Sequence, residues 1–255
     1  MREPVLLEAS GLSKSFGGVQ AVRGLSLKVR AGELLALMGP NGAGKSTTFN
    51  LLNGQLTPDA GSLWVQGQQV KQHHPLHLRR LGVGRSFQAA QVFVAMTALA
   101  QVQLALQARA RRQSGRWWRQ LLTPLAHLET EAAWTWLTRL GLAQDAHCCP
   151  QAMPYGWVKR LELALCLCQE PRIVLMDEPT AGLAPDERQQ LMQLTRDLAK
   201  AQGLAVIFTE HSLDAVFGYA DRMVLMARGQ LVAQGHPDEV RQHPEAQALY
   251  FGSRS

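Results

Sequence analysis

Residues Leu34–Thr47 read Leu-Leu-Ala-Leu-Met-Gly-Pro-Asn-Gly-Ala-Gly-Lys-Ser-Thr. Five apolar residues with no charge among them predict a fully buried strand, and the glycines that follow predict a tight turn. Lys45 to Asn53 then continues at helical spacing. Gly39 to Thr47 therefore carries the pattern G-x-x-x-x-G-K-[ST] in the context it needs, after a buried strand and before a helix. The residues are Gly39, Pro40, Asn41, Gly42, Ala43, Gly44, Lys45, Ser46 and Thr47. Glycines let backbone N–H groups turn toward a phosphate, and the helix start adds a favourable dipole. Lys45 supplies a cation for the β- and γ-phosphates of a nucleoside triphosphate, and the Ser46 hydroxyl is a Mg2+ ligand.

A second segment completes that chemistry. Ile173-Val174-Leu175-Met176-Asp177-Glu178 is an apolar strand ending in two carboxylates. In a parallel sheet these would sit at the strand's C-terminal edge, beside the phosphates. Asp177 is expected to hold Mg2+ through water, and Glu178 to polarise the attacking water as general base. Two acids capping a strand end is the plain reading of Asp-Glu alone, and the phosphate loop argues against it.

Around these segments the chain alternates. Leu6 to Ser10, Leu25 to Val29, Ser62 to Val65 and Gly84 to Phe87 are strand candidates. Asp186 to Gln202 is an amphipathic helix, and Ala205 to Phe208 a further buried strand. Strand, helix, strand implies a parallel sheet with a crossover helix. Arg222 to Ala227 and Gln230 to Gln234, joined through Arg228-Gly229, read as a hairpin. Thr97 to Ala108 and Thr130 to Leu140 have helical periodicity. With 255 residues and a hydrophobic fraction of 46%, the expected architecture is one α/β domain. Residues 1–87 and 170–235 would form its core, 88–169 an inserted helical subdomain and 236–255 a tail.

No run of about 18 apolar residues appears, and the start MREPVLLEAS lacks the apolar core of a secretion signal, so the chain is expected to stay in the cytoplasm. The spacings of Cys148, Cys149, Cys166 and Cys168 match no zinc clip. The net charge of +6 is unevenly spread, since no acid occurs between Asp59 and Glu129. Lys71, Arg79, Arg80, Arg85, Arg109, Arg111, Arg112, Arg116 and Arg119 fall there. That pattern suits either a solvated basic surface or a face near phosphate or lipid headgroups. Residues Arg109 to Arg119 include Trp117 and Trp118, for which nucleic acid, membrane headgroups and a partner subunit all stay open.

Taken together the motifs resemble those of the ATP-binding subunits of ABC transporters, from about residue 5 to the end. Three more features match in the family's order. Phe16 matches the aromatic that stacks on adenine, Gln88 the glutamine that contacts Mg2+ and water and links to the membrane subunit, and His211 the switch histidine near the γ-phosphate. Singly, each has a plain alternative: a core Phe, a surface Gln, a helix-capping His. The resemblance implies a mostly parallel core sheet, an antiparallel N-terminal β subdomain and an inserted helical subdomain. It also implies ATP with Mg2+ as ligands.

Within the family the chain is most similar to the ATPases of branched-chain amino acid importers. Gly82 to Gln88, the stretch near 107–130, Tyr155-Gly156 and the tail Tyr250-Phe251-Gly252 carry that likeness. It implies a peripheral subunit on the cytoplasmic face of the inner membrane. Its partners would be a second ATP-binding subunit (a heterodimer, or else a homodimer), two transmembrane permeases and, indirectly, a periplasmic solute-binding protein, with no nucleic acid. An exporter ATPase, a non-transport nucleotide switch and a module that binds ATP without hydrolysing it are the competing readings.

Two stretches depart from the family pattern. The signature Leu-Ser-Gly-Gly-Gln, which grips the γ-phosphate of the partner's ATP, is replaced by Met153, Pro154, Tyr155, Gly156 and Trp157. Pro154 has neither a hydroxyl nor an N–H to offer. Ala184 stands where relatives usually place an aspartate or similar polar group. Both losses fall on what is offered to the partner, so a two-site asymmetry is expected, with this chain's own phosphate loop in the working site. The alternative is that backbone donors and the helix dipole suffice at the altered signature.

Overall fold

A computed structural model describes residues 3–86, 92–114 and 130–251. Gln88 and the tryptophan pair of the basic stretch lie outside the described residues, as do Phe87 and Gly252. The chain divides into two compact units. The first comprises residues 1–88, 172–181 and 192–255, and the second residues 89–171 and 182–191.

The first unit holds both sheets. Strands β1 (Val5–Phe16), β2 (Val19–Arg30), β4 (Ala60–Val65) and β5 (Gln68–Gln69) form an antiparallel sheet in the order β2-β1-β4-β5. The second sheet has the order β10-β9-β3-β8-β7-β6. Its strands are β3 (Leu34–Met38), β6 (Val83–Ser86), β7 (Ile173–Asp177), β8 (Ala205–Thr209), β9 (Arg222–Ala227) and β10 (Gln230–Gly235). All its neighbours are parallel except β9 and β10, the expected hairpin. Arg228 and Gly229 both have positive φ there, as a two-residue hairpin turn requires.

The parallel strands are apolar along their length because both faces are covered. Every residue of β3 and β8 is buried. Leu35, Leu37, Ile207 and Leu175 from that sheet share one core with Leu7, Leu25 and Leu63 from the antiparallel sheet and Phe49 from helix α1 (Lys45–Leu52). Because β3 lies at the middle of the six strands, the turn at its C-terminal end opens between β8 and β9. That topology places the phosphate loop beside the ends of β7 and β8.

Some local structure departs from the sequence reading. β1 and β2 are longer than expected, since register shifts between Ala9 and Lys14 break the two-residue alternation without ending the pairing. Helix α2 (Pro75–Arg80) was not anticipated. It is a six-residue turn with Leu78 as its one buried side chain, started by Pro75 and by the His74 ring, which accepts from the Leu76 N–H.

The second unit contains helices α3 (Ala98–Ser114), α4 (Thr130–Arg139) and α5 (Tyr155–Leu167), which pack on one another and bury Val102, Leu106, Leu137 and Leu161. Helix α6 (Pro185–Gln202) has residues in both units. Helices α7 (Leu213–Tyr219) and α8 (Pro237–Gln242) belong to the first. Among the described residues, no helix is long and apolar enough to cross a membrane.

The basic span turns partly inward. Arg85 reaches Asn50, Gln55 and, at 3.7 Å, Asp177, and Arg109 pairs with Glu170. These two side chains belong to ion-pair and hydrogen-bond networks and are not a solvated basic face.

Candidate nucleotide site

The loop after β3 is shaped by contacts only glycine permits. A Cβ at Gly39, whose φ is +149°, would overlap the Met226 carbonyl of β9. Gly44 is the N-cap of α1 and has no side-chain acceptor, so the first-turn N–H groups of that helix remain available to an anion. The Gly229 N–H donates to the Ala43 carbonyl, fastening the hairpin turn to the loop.

Lys45 lies across the loop. Its Nζ donates to the Gly39 carbonyl at 2.6 Å and to the Pro40 carbonyl at 3.1 Å. Burial holds its pKa below the ordinary lysine value, and the negative charges of Glu178 and Asp177 act in the opposite sense. A cleft of about 530 Å³ opens in front of the loop. Asn41 to Thr47, Glu178, His211 and the start of β2 from Val19 to Ala21 line it. Arg23 and Arg228, which sequence reasoning did not single out, also line it.

At the end of β7 the Asp177 carboxylate accepts the Thr209 hydroxyl at 2.7 Å. Glu178 has φ +49°, a backbone conformation in which non-glycine residues are uncommon. Its N–H donates to the Thr209 carbonyl at 3.2 Å and to the Thr209 hydroxyl oxygen at 3.0 Å. Its Oε1 lies 3.0 Å from Nε2 of His211. Two side chains singled out 33 positions apart in sequence therefore meet at one edge of the cleft.

The donor set suits Mg2+. The Ser46 hydroxyl and the Asp177 carboxylate are hard oxygen ligands of the kind this ion takes, one or two from protein and the rest from phosphate and water. Among the described residues no cluster of three or more His, Cys, Asp or Glu could hold a metal unaided.

Phe16 ends β1, 47% exposed, with the Lys14 ammonium 5.7 Å from its ring centroid, and it does not line the cleft. Gly39 and Pro40 likewise serve the loop as acceptors for Lys45. Gln88 lies outside the described residues. Thr209 and Glu210 escaped the sequence reading, although two polar residues closing an apolar strand ahead of His211 were the available signal.

The altered signature lies in the second unit. Pro154 is the N-cap of α5 and provides no side-chain cap, and its carbonyl accepts from Trp157 and Val158 N–H. Tyr155 is exposed and Gly156 buried. A Cβ at Gly156 would lie 2.6 Å from Oε1 of Glu187, and one at Gly182 would lie 3.2 Å from the Tyr155 ring. Glu187 also accepts the Ala184 N–H at 3.1 Å, which forms half of a capping box at the start of α6. The reciprocal half needs a polar side chain at Ala184.

Comparison with known proteins agrees with this geometry. The family model described as ABC transporter matches residues 22–181. The chain is 35% identical over 256 residues to the high-affinity branched-chain amino acid transport ATP-binding protein LivG of Salmonella typhimurium, covering 99% of each. It is 34% identical over 257 residues to the corresponding protein BraF of Pseudomonas aeruginosa, again covering 99% of each. Its fold is similar to the ADP conformation of an ATP-binding cassette of an ABC transporter, with a TM-score of 0.84 and 28% identity over 98% of this chain and all of that one.

Proposed function

The chain belongs to the ABC transporter family as an ATP-hydrolysing subunit, and from that premise we propose that it powers import of branched-chain or closely related amino acids. The relatives that match over nearly its whole length are named for that transport. It would work at the cytoplasmic face of the inner membrane, with two permeases and a second ATP-binding subunit, and receive solute from a periplasmic binding protein.

The observation that carries the catalytic reading is the Glu178–His211 pair at 3.0 Å on the edge of the Lys45 cleft. Backbone N–H groups from Asn41 to Thr47, with Lys45, would hold the β- and γ-phosphates, Gly39 and Pro40 would shape the loop through their carbonyls, and the exposed Phe16, beyond the cleft lining, would stack on the adenine. A bound Mg2+ would neutralise charge between those phosphates, with Ser46, Asp177 and Gln88 as its protein contacts. Glu178 takes a proton from the water that attacks the γ-phosphorus, and the bond to the bridging oxygen breaks. His211 holds the Glu178 carboxylate at the angle this transfer needs.

Pro154, Tyr155, Gly156 and Trp157 would face the partner's nucleotide, with Pro154 supplying neither the hydroxyl nor the N–H that a serine would. We therefore assign the working site to this chain's cleft and the weaker one to the partner's, within a heterodimer. The test is uptake of labelled leucine by the complete transporter reconstituted in proteoliposomes, with ATP enclosed. ATP-dependent uptake that Lys45→Ala abolishes is expected. ATP turnover with no uptake of leucine, isoleucine or valine would remove the substrate assignment.

A further inference from the structure

Glu210 directly follows β8, between Thr209 and His211, and only 4% of its surface is exposed. Its Oε1 accepts the Thr180 N–H at 2.8 Å and its Oε2 the His211 N–H at 3.3 Å. Thr180, itself 1% exposed, lies in the turn that follows Glu178, where the Ala181 N–H donates to the Glu178 carbonyl at 3.1 Å. One buried carboxylate thus holds the turn carrying Glu178 with one oxygen and the backbone of His211 with the other.

That arrangement has a mechanical meaning. Glu178 sits at positive φ, a conformation that persists when the surroundings over-determine it. Thr209 secures the near side of the turn through the Glu178 N–H, and Glu210 secures the far side through Thr180. Only a carboxylate offers two acceptor oxygens on one flat group, so it can receive both N–H donors at once. An amide in its place would face one of them with an NH2.

We propose that Glu210 is a positioning residue for hydrolysis: it keeps the Glu178 carboxylate and the His211 ring opposed across the cleft edge without touching nucleotide itself. The inference rests on Glu178 being the general base. If Glu210 were structural only, its loss would weaken folding and nucleotide binding together. As a positioning group, its loss lowers the rate while binding holds.

The experiment compares wild type, Glu210→Gln, Glu210→Ala and Glu178→Gln in the assembled transporter, measuring kcat, the KM for ATP and melting temperature. We expect kcat to fall about tenfold in Glu210→Gln and about a hundredfold in Glu210→Ala, in the range of a misplaced catalytic group, with KM changed by less than about twofold. An unchanged kcat beside an inactive Glu178→Gln would overturn the role of Glu210 alone. Retained activity in Glu178→Gln would instead overturn the reading beneath it. A loss of kcat that tracks KM and melting temperature would return Glu210 to a structural part. Should neither Glu210 variant assemble, amide exchange in the wild-type complex decides. The Thr180 N–H should be as protected as the amides of β7, and rapid exchange there would overturn the proposal.

Discussion

In the proposed function two helix starts of this molecule meet a phosphate, and they are furnished in opposite ways. At α1 the glycine-rich loop, the Lys45 ammonium and the Ser46 hydroxyl add charge and side-chain donors to the backbone N–H groups. At α5 the N-cap is Pro154 and no side-chain cap exists, which leaves backbone donors beside Gly156. Both keep the helix dipole, worth a few tenths of a kcal/mol to about 1 kcal/mol toward an anion. A charge-assisted hydrogen bond is worth about 1.5–3 kcal/mol. The contrast is therefore in how many such bonds each start can offer: α1 adds the Lys45 and Ser46 side chains to its backbone donors, and the Pro154 cap of α5 adds none.

Of the two helix starts, the larger effect is expected at the first. Lys45→Ala should weaken ATP binding to this chain roughly ten- to hundredfold, the worth of a charge-assisted contact, as read by calorimetric titration. Equal affinity in the variant would erase the contrast. At the second helix start, Pro154→Ser restores a hydroxyl and an N–H. Turnover of the assembled complex should rise by up to about twofold as a second site gains a donor of the charge-assisted kind. No change would mean that backbone donors already suffice at α5.

Smaller effects sharpen the picture of the supporting structure. Ala184→Asp would complete the capping box that Glu187 half forms. It should stabilise the protein by about 1 kcal/mol, measurable by urea unfolding, without slowing turnover. The smallest concerns Asp59, whose carboxylate accepts from the Lys14 ammonium and the Ser15 N–H, each at 2.7 Å, and is held below its ordinary pKa by the first of these above all. Its folded pKa is depressed, so its contribution is present above the unfolded value of 3.8 and is lost as pH falls through the folded one. Asp59→Asn should slightly flatten the acid limb of stability, and an unchanged limb would show that the exposed pair contributes nothing.

What the sequence revealed followed from the range of the interactions involved. The strand, turn and helix of 34–52 form from neighbours in sequence, so LLALMGPNGAGKST was readable directly. So were β7 and β8, whose two-sided burial leaves an unbroken apolar run. β1 was read short because Gly11 and the residues around it interrupt the alternation where the strand shifts register. The role of Glu210 was not legible for a different reason. Its acceptor role toward Thr180 spans 30 residues and exists only after β7 and β8 have paired. Arg85 was counted with a basic surface because nothing local shows that its guanidinium turns toward Asp177 and Gln55.

The central claim is that this chain's own cleft is the working site. The direct test is ATP hydrolysis by the purified, assembled complex carrying Glu178→Gln in this chain alone. The account predicts a fall of about 10²–10⁴-fold, the usual worth of a general base. Survival of most of the activity would contradict it, and would mean that the Pro154-Tyr155-Gly156-Trp157 surface completes a competent site for its partner.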